Sequence, residues 1–407
     1  MMRKSEIESQ FAAIRHWNPT IKALIDWDQI QAKERAQNTK DGPLAGWSVV
    51  VKDIIDLVGL PTRCNANFVP AVPATSNATI IDQLTANGAF VMAKTVTTTF
   101  AHFDPGPTRN PWHTAHTPGG SSSGSAAAVA CGMVRLALGS QTIGSVNRPA
   151  SFCGVVGFKP TYERLSTEGV FPVAPSFDTV GYFTANMADA QEAWAALTGE
   201  PTRSRPQSLR VGLVMNMQCE PPDGSMMDAV RNVSRKLHDA GHEVKTMTLP
   251  SCAERAYEYH LIMMGAETAA SHRLLYAQYG GAYTPKLRQL IESGRRVTKQ
   301  QLRQIASHRQ QTMKQIKALF DHCDVLLTPS APGSAPQGLE FTGDPRMNLL
   351  WTYCGIPSLT LPSALDDLGL PLGVQLIGPR MADGALLEAG LAVEALIKFD
   401  AKPPTPR

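Results

Sequence analysis

Three polar residues have sequence surroundings that suit nucleophilic catalysis. Lys52 lies between Val49-Val50-Val51 and Ile54-Ile55, so a cation interrupts an apolar run. Burying a lysine there is costly unless it is paired or loses its proton, and a neutral lysine is a usable base. Ser121 lies in a serine-rich loop, and Ser145 ends a turn whose backbone N–H groups could converge on one point. Together these features suit acyl transfer by an activated serine.

Other motifs in this region have competing interpretations. Residues 120–124 match the G-x-S-x-G nucleophile elbow, but a long Pro/Gly loop precedes them where the elbow needs a strand. Residues 139–144 have the spacing of a phosphate loop but lack its lysine. His113 and His116 are spaced for a metal, yet no nearby Cys, Asp or Glu completes a site. Lys52 by itself also fits an edge-strand lysine that extends to water.

The elements around these residues predict an α/β fold. The run around Lys52 is rich in β-branched residues and predicts a strand, with helical patterns before it and a helix and strand after it. Residues 108–124 lack a regular pattern, and such long loops are usually functional. The predicted elements of this half are helices at about 5–17, 26–37, 77–88 and 125–131 and strands at 46–56, 89–94 and 136–140. Their alternation favours a largely parallel sheet.

The second half of the chain begins after a linker-like stretch at 201–208. It opens with a βαβ pattern, with its helix near 224–239, that is either an insertion or the second half of the sheet. Helical patterns at about 252–278 and 298–320 follow. Residues 401–407 have the composition of a loose tail.

Composition excludes several function classes. The 407 residues include 38 Lys and Arg against 35 Asp and Glu, so a net charge of +3 gives no indication of a nucleic-acid or membrane surface. The N-terminus has no apolar run of the kind found in signal peptides or anchors. Seven widely spaced cysteines indicate reduced, mostly buried thiols. We expect a cytoplasmic protein that acts on small, neutral molecules.

Two long segments resemble the signature of the amidase signature family, whose members are Ser-Ser-Lys hydrolases. They are GGSSSGSAAAVA at 119–130 and LALGSQTIGSVNRPASFCGVVGFKPT at 136–161. The similarity also includes 43–62, 166–181 and 324–336, and it covers about two thirds of the chain. It implies a single large α/β/α sandwich around a central mixed, mostly parallel β-sheet. One domain would span 1–400, with a variable, substrate-facing segment at about 200–320.

The resemblance also implies roles for individual residues. Lys52 corresponds to the base, Ser121 to a serine that follows a cis peptide bond and relays the proton, and Ser145 to the acylated nucleophile. The backbone N–H groups implied for the oxyanion hole are those of Thr142, Ile143, Gly144 and Ser145. The side chains expected to support the site are Ser122, Gln141 and Arg148. The scheme requires no metal and no cofactor.

Three positions depart from the family pattern. Gln141 replaces the usual aspartate, Ile143 the first glycine of a pair, and Asn147 the usual arginine, with Arg148 one position later. Because the aspartate and the arginine are lost together, we expect neutral hydrogen bonding around Gln141 in place of a buried charged pair. Ile143 narrows the space beside the oxyanion hole but keeps its N–H.

The reaction implied is hydrolysis of a small carboxylic amide, that is, of a carbon–nitrogen bond other than a peptide bond. Three alternatives remain: a carbamate, urea-like or ester hydrolase with the same triad, a glutaminase-type amidotransferase subunit, and a non-catalytic binding protein with a degenerate site. The sequence also permits a homodimer. An aromatic set suits aryl or alkyl substrate groups, although core packing explains each member equally well. Its members are Phe103, Trp112, Phe341, Trp351 and Tyr353.

Overall fold

The structure is a computed structural model that describes residues 2–201 and 205–405. Within those ranges, eleven strands form one sheet. The strands are β1 (Leu24–Ile25), β2 (Ser48–Lys52), β3 (Phe90–Thr95), β4 (Leu136–Gln141), β5 (Val156–Lys159), β6 (Thr179–Thr184), β7 (Arg210–Leu213), β8 (Glu243–Thr246), β9 (Val325–Pro329), β10 (Ser358–Leu365) and β11 (Pro371–Ile377).

The sheet is mixed, with the strand order β1-β3-β2-β4-β6-β5-β10-β11-β9-β7-β8. The parallel pairings are those of β2 with β3 and β4, and those of β7 with β8 and β9. The six remaining pairings are antiparallel. The predicted mixed sheet is confirmed, whereas its expected parallel majority is wrong. Helix–strand alternation indicates parallel pairing only where a helix crosses between neighbouring strands, as at the two ends of this sheet.

Helices cover the sheet. They are α1 (Met2–Ile21), α2 (Gln29–Gln37), α3 (Thr79–Ala86), α4 (Ser123–Ala130), α5 (Asn147–Cys153), α6 (Met187–Thr198), α7 (Gly224–Asp239), α8 (Cys252–Ser271), α9 (Arg273–Tyr279), α10 (Pro285–Gly294), α11 (Lys299–Leu319), α12 (Arg346–Tyr353) and α13 (Asp383–Ile397). The predicted helix at 252–278 is divided at His272 into α8 and α9. Helix α10 was not predicted, although Thr284 caps its start and Pro285 occupies its first turn.

Both faces of the sheet are buried at its interior strand β2, as the three-layer prediction requires. Val49 and Val51 of β2 join one apolar cluster with side chains of α3, α6 and α13. Val50, between them, joins a second cluster with side chains of α1 and α4. Because successive strand residues point to opposite faces, an uninterrupted apolar run is what a doubly covered strand needs. The α/β/α sandwich is therefore confirmed.

The βαβ pattern of the second half forms the outer edge of this same sheet, since β7 lies between β8 and β9. It is thus the second half of the sheet and not an insertion. Part of the predicted linker, residues 202–204, and part of the predicted tail, residues 406–407, lie outside the described residues. Among the helices that the structure describes, none is long and apolar enough to cross a membrane.

Candidate active site

Lys52 is the last residue of β2, an interior strand between β3 and β4. Its side chain is fully buried, so the edge-strand interpretation is wrong. The ammonium nitrogen Nζ donates hydrogen bonds to Ser121 Oγ at 2.6 Å and to Ser140 Oγ at 2.9 Å. Burial lowers the pKa of Lys52 to about 7, because removal from water penalises the charged form. The residue is therefore available as a neutral base near physiological pH.

The loop before α4 presents Ser121 to the lysine. The Gly120–Ser121 peptide bond is cis, as the resemblance implied. Arg148 fixes this loop from the other side, since its Nη2 donates to the Gly120 carbonyl at 2.6 Å. Ser122 Oγ donates to the Ser140 carbonyl at 3.2 Å and so attaches the start of α4 to the end of β4. Ser122 and Arg148 thus both contact the backbone of the segments that carry Ser121 and Ser140.

Gln141 organises the turn that carries Ser145. Its Oε1 accepts hydrogen bonds from the N–H groups of Val146 at 2.9 Å and Asn147 at 3.1 Å, which are the first donors of α5. Its Nε2 donates to Thr352 Oγ1 at 3.0 Å. The side chain therefore satisfies N–H groups at a helix start that would otherwise lack partners, while joining the turn to α12.

Asn147 makes neutral hydrogen bonds with its neighbours. Its Nδ2 donates to Thr360 Oγ1 at 3.1 Å, and its Oδ1 accepts from Ser358 Oγ at 2.8 Å. Both partners are on β10. The geometry agrees with the hypothesis that neutral hydrogen bonding around Gln141 stands where the family pattern has charges.

The turn faces a cavity of about 390 Å³ that is lined by Ser145 and the three residues before it. No residue in 2–201 or 205–405 accepts a hydrogen bond from the backbone N–H groups of Thr142, Ile143, Gly144 or Ser145. These donors are therefore open to a ligand carbonyl. Gly144 permits the approach of α12, because a Cβ there would lie 2.5 Å from Asn348 Oδ1. Ser145 Oγ makes no hydrogen bond to a described side chain or carbonyl.

Only part of the predicted aromatic set lines the cavity. Phe103 and Phe341 do so, and both are partly exposed at its wall. Trp112 is buried away from the cavity and donates from Nε1 to the Cys153 carbonyl at 2.8 Å. Trp351 and Tyr353 are core residues of α12. Core packing thus accounts for three of the five.

The two histidines that are spaced for a metal contact each other and a backbone carbonyl. His113 and His116 stack edge to face, with ring centroids 4.6 Å apart. His116 Nδ1 lies 2.8 Å from the Ala335 carbonyl oxygen. In the part of the chain that the structure describes, no cluster of three His, Cys, Asp or Glu side chains is arranged to hold a metal ion.

Burial shifts the pKa values of several titratable side chains around the cavity. Burial lowers the pKa of Arg148 to about 10 and that of His102 to about 3, so the histidine is neutral. Burial raises the pKa of Asp178, which accepts a hydrogen bond from Thr142 Oγ1 at 2.6 Å. Two of these residues, Arg148 and His102, line the cavity itself.

Sequence reasoning missed two residues that contact the predicted set. Ser140 is the second acceptor of Lys52, and Asp178 holds the turn through Thr142. The sequence carried a signal for Asp178, which lies in the 166–181 segment that matched the signature. The place of Ser140 beside Lys52 depends on the pairing of β2 with β4.

Comparisons with known proteins identify the family of this chain. A sequence model of the Amidase family matches residues 7–387. The chain is 30% identical to a glutamyl-tRNA(Gln) amidotransferase subunit of Prochlorococcus marinus (strain MIT 9303), over 95% of this chain and 93% of that protein. It is 32% identical to 2-amino-5-chloromuconic acid deaminase of Comamonas testosteroni, over 93% and 89%. A crystal structure of an amidase superposes with a TM-score of 0.86 at 28% identity, covering 96% of this chain and 95% of the other.

Proposed function

This chain belongs to the amidase family, and from that premise we propose that it hydrolyses small carboxylic amides through an acyl-enzyme on Ser145. The observation that carries the proposal is the 2.6 Å hydrogen bond between a fully buried Lys52 and Ser121 Oγ. A lysine whose pKa is lowered to about 7 is a base matched to neutral pH.

Acylation begins with the proton of Ser145. Neutral Lys52 takes the proton of Ser121, Ser121 takes that of Ser145, and Ser145 Oγ attacks the amide carbonyl. The carbonyl oxygen gains negative charge as the bond forms. The unpartnered N–H groups of residues 142–145 stabilise this charge at the cavity wall.

The same residues complete the reaction. The tetrahedral intermediate collapses, and the relay returns the proton to the departing amine nitrogen, so the leaving group departs neutral. Water then attacks the ester carbonyl of the acyl-enzyme and gives its proton to the relay. As the bond between the carbonyl carbon and Ser145 Oγ breaks, the relay returns this proton to Oγ, which regenerates Ser145 and releases the carboxylic acid. Ser140 holds Lys52 in place throughout.

A fluorophosphonate probe followed by peptide mass mapping tests the nucleophile. The adduct is expected on the peptide that contains Ser145 and is expected to be absent in Ser145→Ala. Ser123→Ala is the matched control, because Ser123 is a buried serine at the start of α4 whose Oγ donates to the Val96 carbonyl. Amide turnover with no adduct on the Ser145 peptide would contradict the mechanism.

An acyl-enzyme mechanism also suits esters, which differ from amides in the leaving group, and carbamates, whose carbonyl carries both nitrogen and oxygen. Propionanilide and phenyl propionate share one acyl group, and phenyl N-methylcarbamate has the same shape with a nitrogen in place of the CH2 group, so this series separates the three activities. We expect turnover of the anilide within about tenfold of the ester, because protonation of a poor leaving group is what the relay supplies. An enzyme that cleaves the ester and leaves the anilide intact would be an esterase.

The amidotransferase relative favours one second candidate, a glutaminase subunit that works in a complex. This candidate predicts glutamine hydrolysis that appears only when partner proteins are present. Purified chain that hydrolyses simple amides alone, with no stimulation by a co-purified partner, supports the independent amidase.

A further inference from the structure

His102 is a buried histidine in the wall of the cavity that Ser145 lines. The residue is 7% exposed, and its buried Nε2 has no hydrogen-bond partner among the described residues. The contacts of the ring are aromatic, with ring centroids 5.9 Å from those of Phe103 and His272. His272, by contrast, has the Tyr283 hydroxyl 2.8 Å from its Nδ1. Because an unpartnered buried polar group is costly, His102 indicates a partner from outside the chain.

The backbone that carries this ring is strained. Phe100 and Ala101 have φ angles of 50° and 59°, in the left-handed region that residues with a Cβ rarely occupy. Hydrogen bonds hold the segment there. The Phe100 N–H donates to the Cys64 carbonyl at 2.9 Å, and Thr98 Oγ1 donates to the His102 carbonyl at 2.8 Å. Because such strain is concentrated at active sites and ligand-binding segments, it supports a binding role for His102.

The imidazole of His102 is neutral at neutral pH. Burial lowers its pKa to about 3, and the nearby His272 and Lys52 act in the same direction. A neutral imidazole has one N–H donor and one nitrogen acceptor. The ring therefore suits an uncharged partner that both donates and accepts hydrogen bonds.

The other polar groups of the cavity wall are mainly donors. They include the backbone N–H groups of residues 142–145, the Arg148 guanidinium and the exposed Lys286, whereas the Asp344 carboxylate is held in an ion pair. Much of the remaining wall is apolar, including Ala101, Phe103, Ile143, Val173, Met264 and Phe341. A substrate group that donates a hydrogen bond therefore finds an unpartnered acceptor at His102, in largely apolar surroundings.

We propose that His102 binds a hydroxyl group of the substrate, so that the enzyme prefers amides whose otherwise apolar acyl or amine part carries a hydroxyl. This proposal rests on the proposed function. A hydroxyl both donates and accepts, so it pairs with the imidazole in either tautomer. A carboxamide has two N–H donors that need acceptors, and a neutral imidazole supplies one.

Matched amides that carry hydroxyl or methyl at the same ring position test this preference. The amine-side pairs are meta- and para-hydroxyacetanilide with the corresponding methylacetanilides. The acyl-side pairs are meta- and para-hydroxyphenylacetamide with the corresponding methylphenylacetamides. We expect kcat/KM for the hydroxyl member to be higher by roughly 5- to 100-fold in at least one pair, because the methyl member leaves a buried nitrogen without a partner. Absence of a preference in every pair overturns the proposal.

Variants then assign the preference to His102. His102→Phe keeps a flat ring without nitrogens and is expected to lower the hydroxyl-to-methyl ratio of kcat/KM by roughly fivefold or more. His102→Gln keeps a donor and an acceptor and should retain a higher ratio than His102→Phe. His322→Phe, at an exposed position outside the cavity wall, is the control that leaves the ratio unchanged. If His102 only packs against its aromatic neighbours, His102→Phe lowers kcat/KM equally for both members, and the unchanged ratio contradicts hydroxyl binding.

A binding measurement covers the case in which the His102 variants fail to fold. Calorimetry with Ser145→Ala gives dissociation constants for the same pairs without turnover. The hydroxyl member is expected to bind roughly fivefold or more tightly than the methyl member in the pair that kinetics favours. Equal affinities in that pair count against the proposal. Failure of the proposed function is distinguishable, because it abolishes Ser145 labelling and the turnover of hydroxyl and methyl members alike.

Discussion

Burial lowers the pKa of Lys52, and two neighbouring groups oppose this shift. Burial is the largest influence and lowers the pKa to about 7, with Arg148 acting in the same direction. Asp178 and Cys64 oppose it by favouring the charged lysine. The result is a lysine that is protonated below about pH 7 and neutral above it. Since only the neutral form accepts a proton, activity is lost as the pH falls through this value.

The pH dependence of kcat/KM for an amide should therefore rise by about tenfold per pH unit below 7 and level off above it. Lys52→Ala is expected to lower turnover by roughly 10²- to 10⁴-fold and to remove this inflection, since the proton acceptor is gone. Steady-state kinetics between pH 5 and 9 measure both.

A second buried lysine provides the matched control. Burial also lowers the pKa of Lys159 to about 7, but its Nζ donates to the carbonyls of Ile356 at 2.7 Å and Pro160 at 2.8 Å, and not to the serines that Lys52 contacts. Lys159→Met should leave the midpoint of the profile unchanged. A midpoint that moves with Lys159, or an inflection that survives in Lys52→Ala, would assign the proton to another group.

Some elements of the site could be predicted from local sequence, whereas others depend on how the strands pair. The β-branched run of β2 and the small-residue run of α4 were predictable because periodicity and composition are local. The contact of Lys52 with Ser140 was not, because it depends on the parallel register that pairs Val51 with Leu138. The antiparallel majority was missed for the same reason, since strand partners are set by tertiary packing.

Substituting Gln141 tests how this turn is held. Gln141→Asp shortens the side chain, removes the donor to Thr352 and buries a charge. We expect the free energy of unfolding to fall by about 2 to 4 kcal/mol, because the asparagine at 147 offers no counter-charge. Chemical denaturation measures this. Gln300→Asp, at an exposed position in the first turn of α11, should change stability by no more than about 0.5 kcal/mol.

A double substitution distinguishes charge from shape at this site. If the missing cation causes the loss of stability, the double variant with Gln141→Asp and Asn147→Arg should lose less free energy of unfolding than the two single variants lose together. We expect a difference of about 1 kcal/mol or more. Additive losses would show instead that the hydrogen bonds of Asn147 to β10 matter more than charge.

Across the whole molecule, the cavity collects residues that are far apart in the chain. Residues 142–145 and Arg148 come from the signature region, Met264 and Lys286 from the second half, and Phe341 from the loop after β9. Sequence alone predicted the chemistry through its resemblance to a family signature, because Ser121 and Ser145 lie in the signature segments and Lys52 lies in a further matching segment at 43–62. It could not indicate which aromatics face the substrate, because Phe341 and Trp351 have equally apolar side chains and differ only in where the fold places them.

The partly exposed rings therefore predict the acceptance of aryl groups. Phe341 is 55% exposed and Phe103 is 37% exposed, so each has surface that an aryl substrate could cover. Aromatic contacts are worth about 0.5 to 1.5 kcal/mol beyond area burial. Phe341→Ala should lower the ratio of kcat/KM for an anilide over acetamide by roughly 2- to 10-fold. Leu368→Ala, an exposed apolar residue away from the cavity, is the control. If kcat/KM falls equally for both substrates, Phe341 stabilises the loop and the aryl group binds elsewhere.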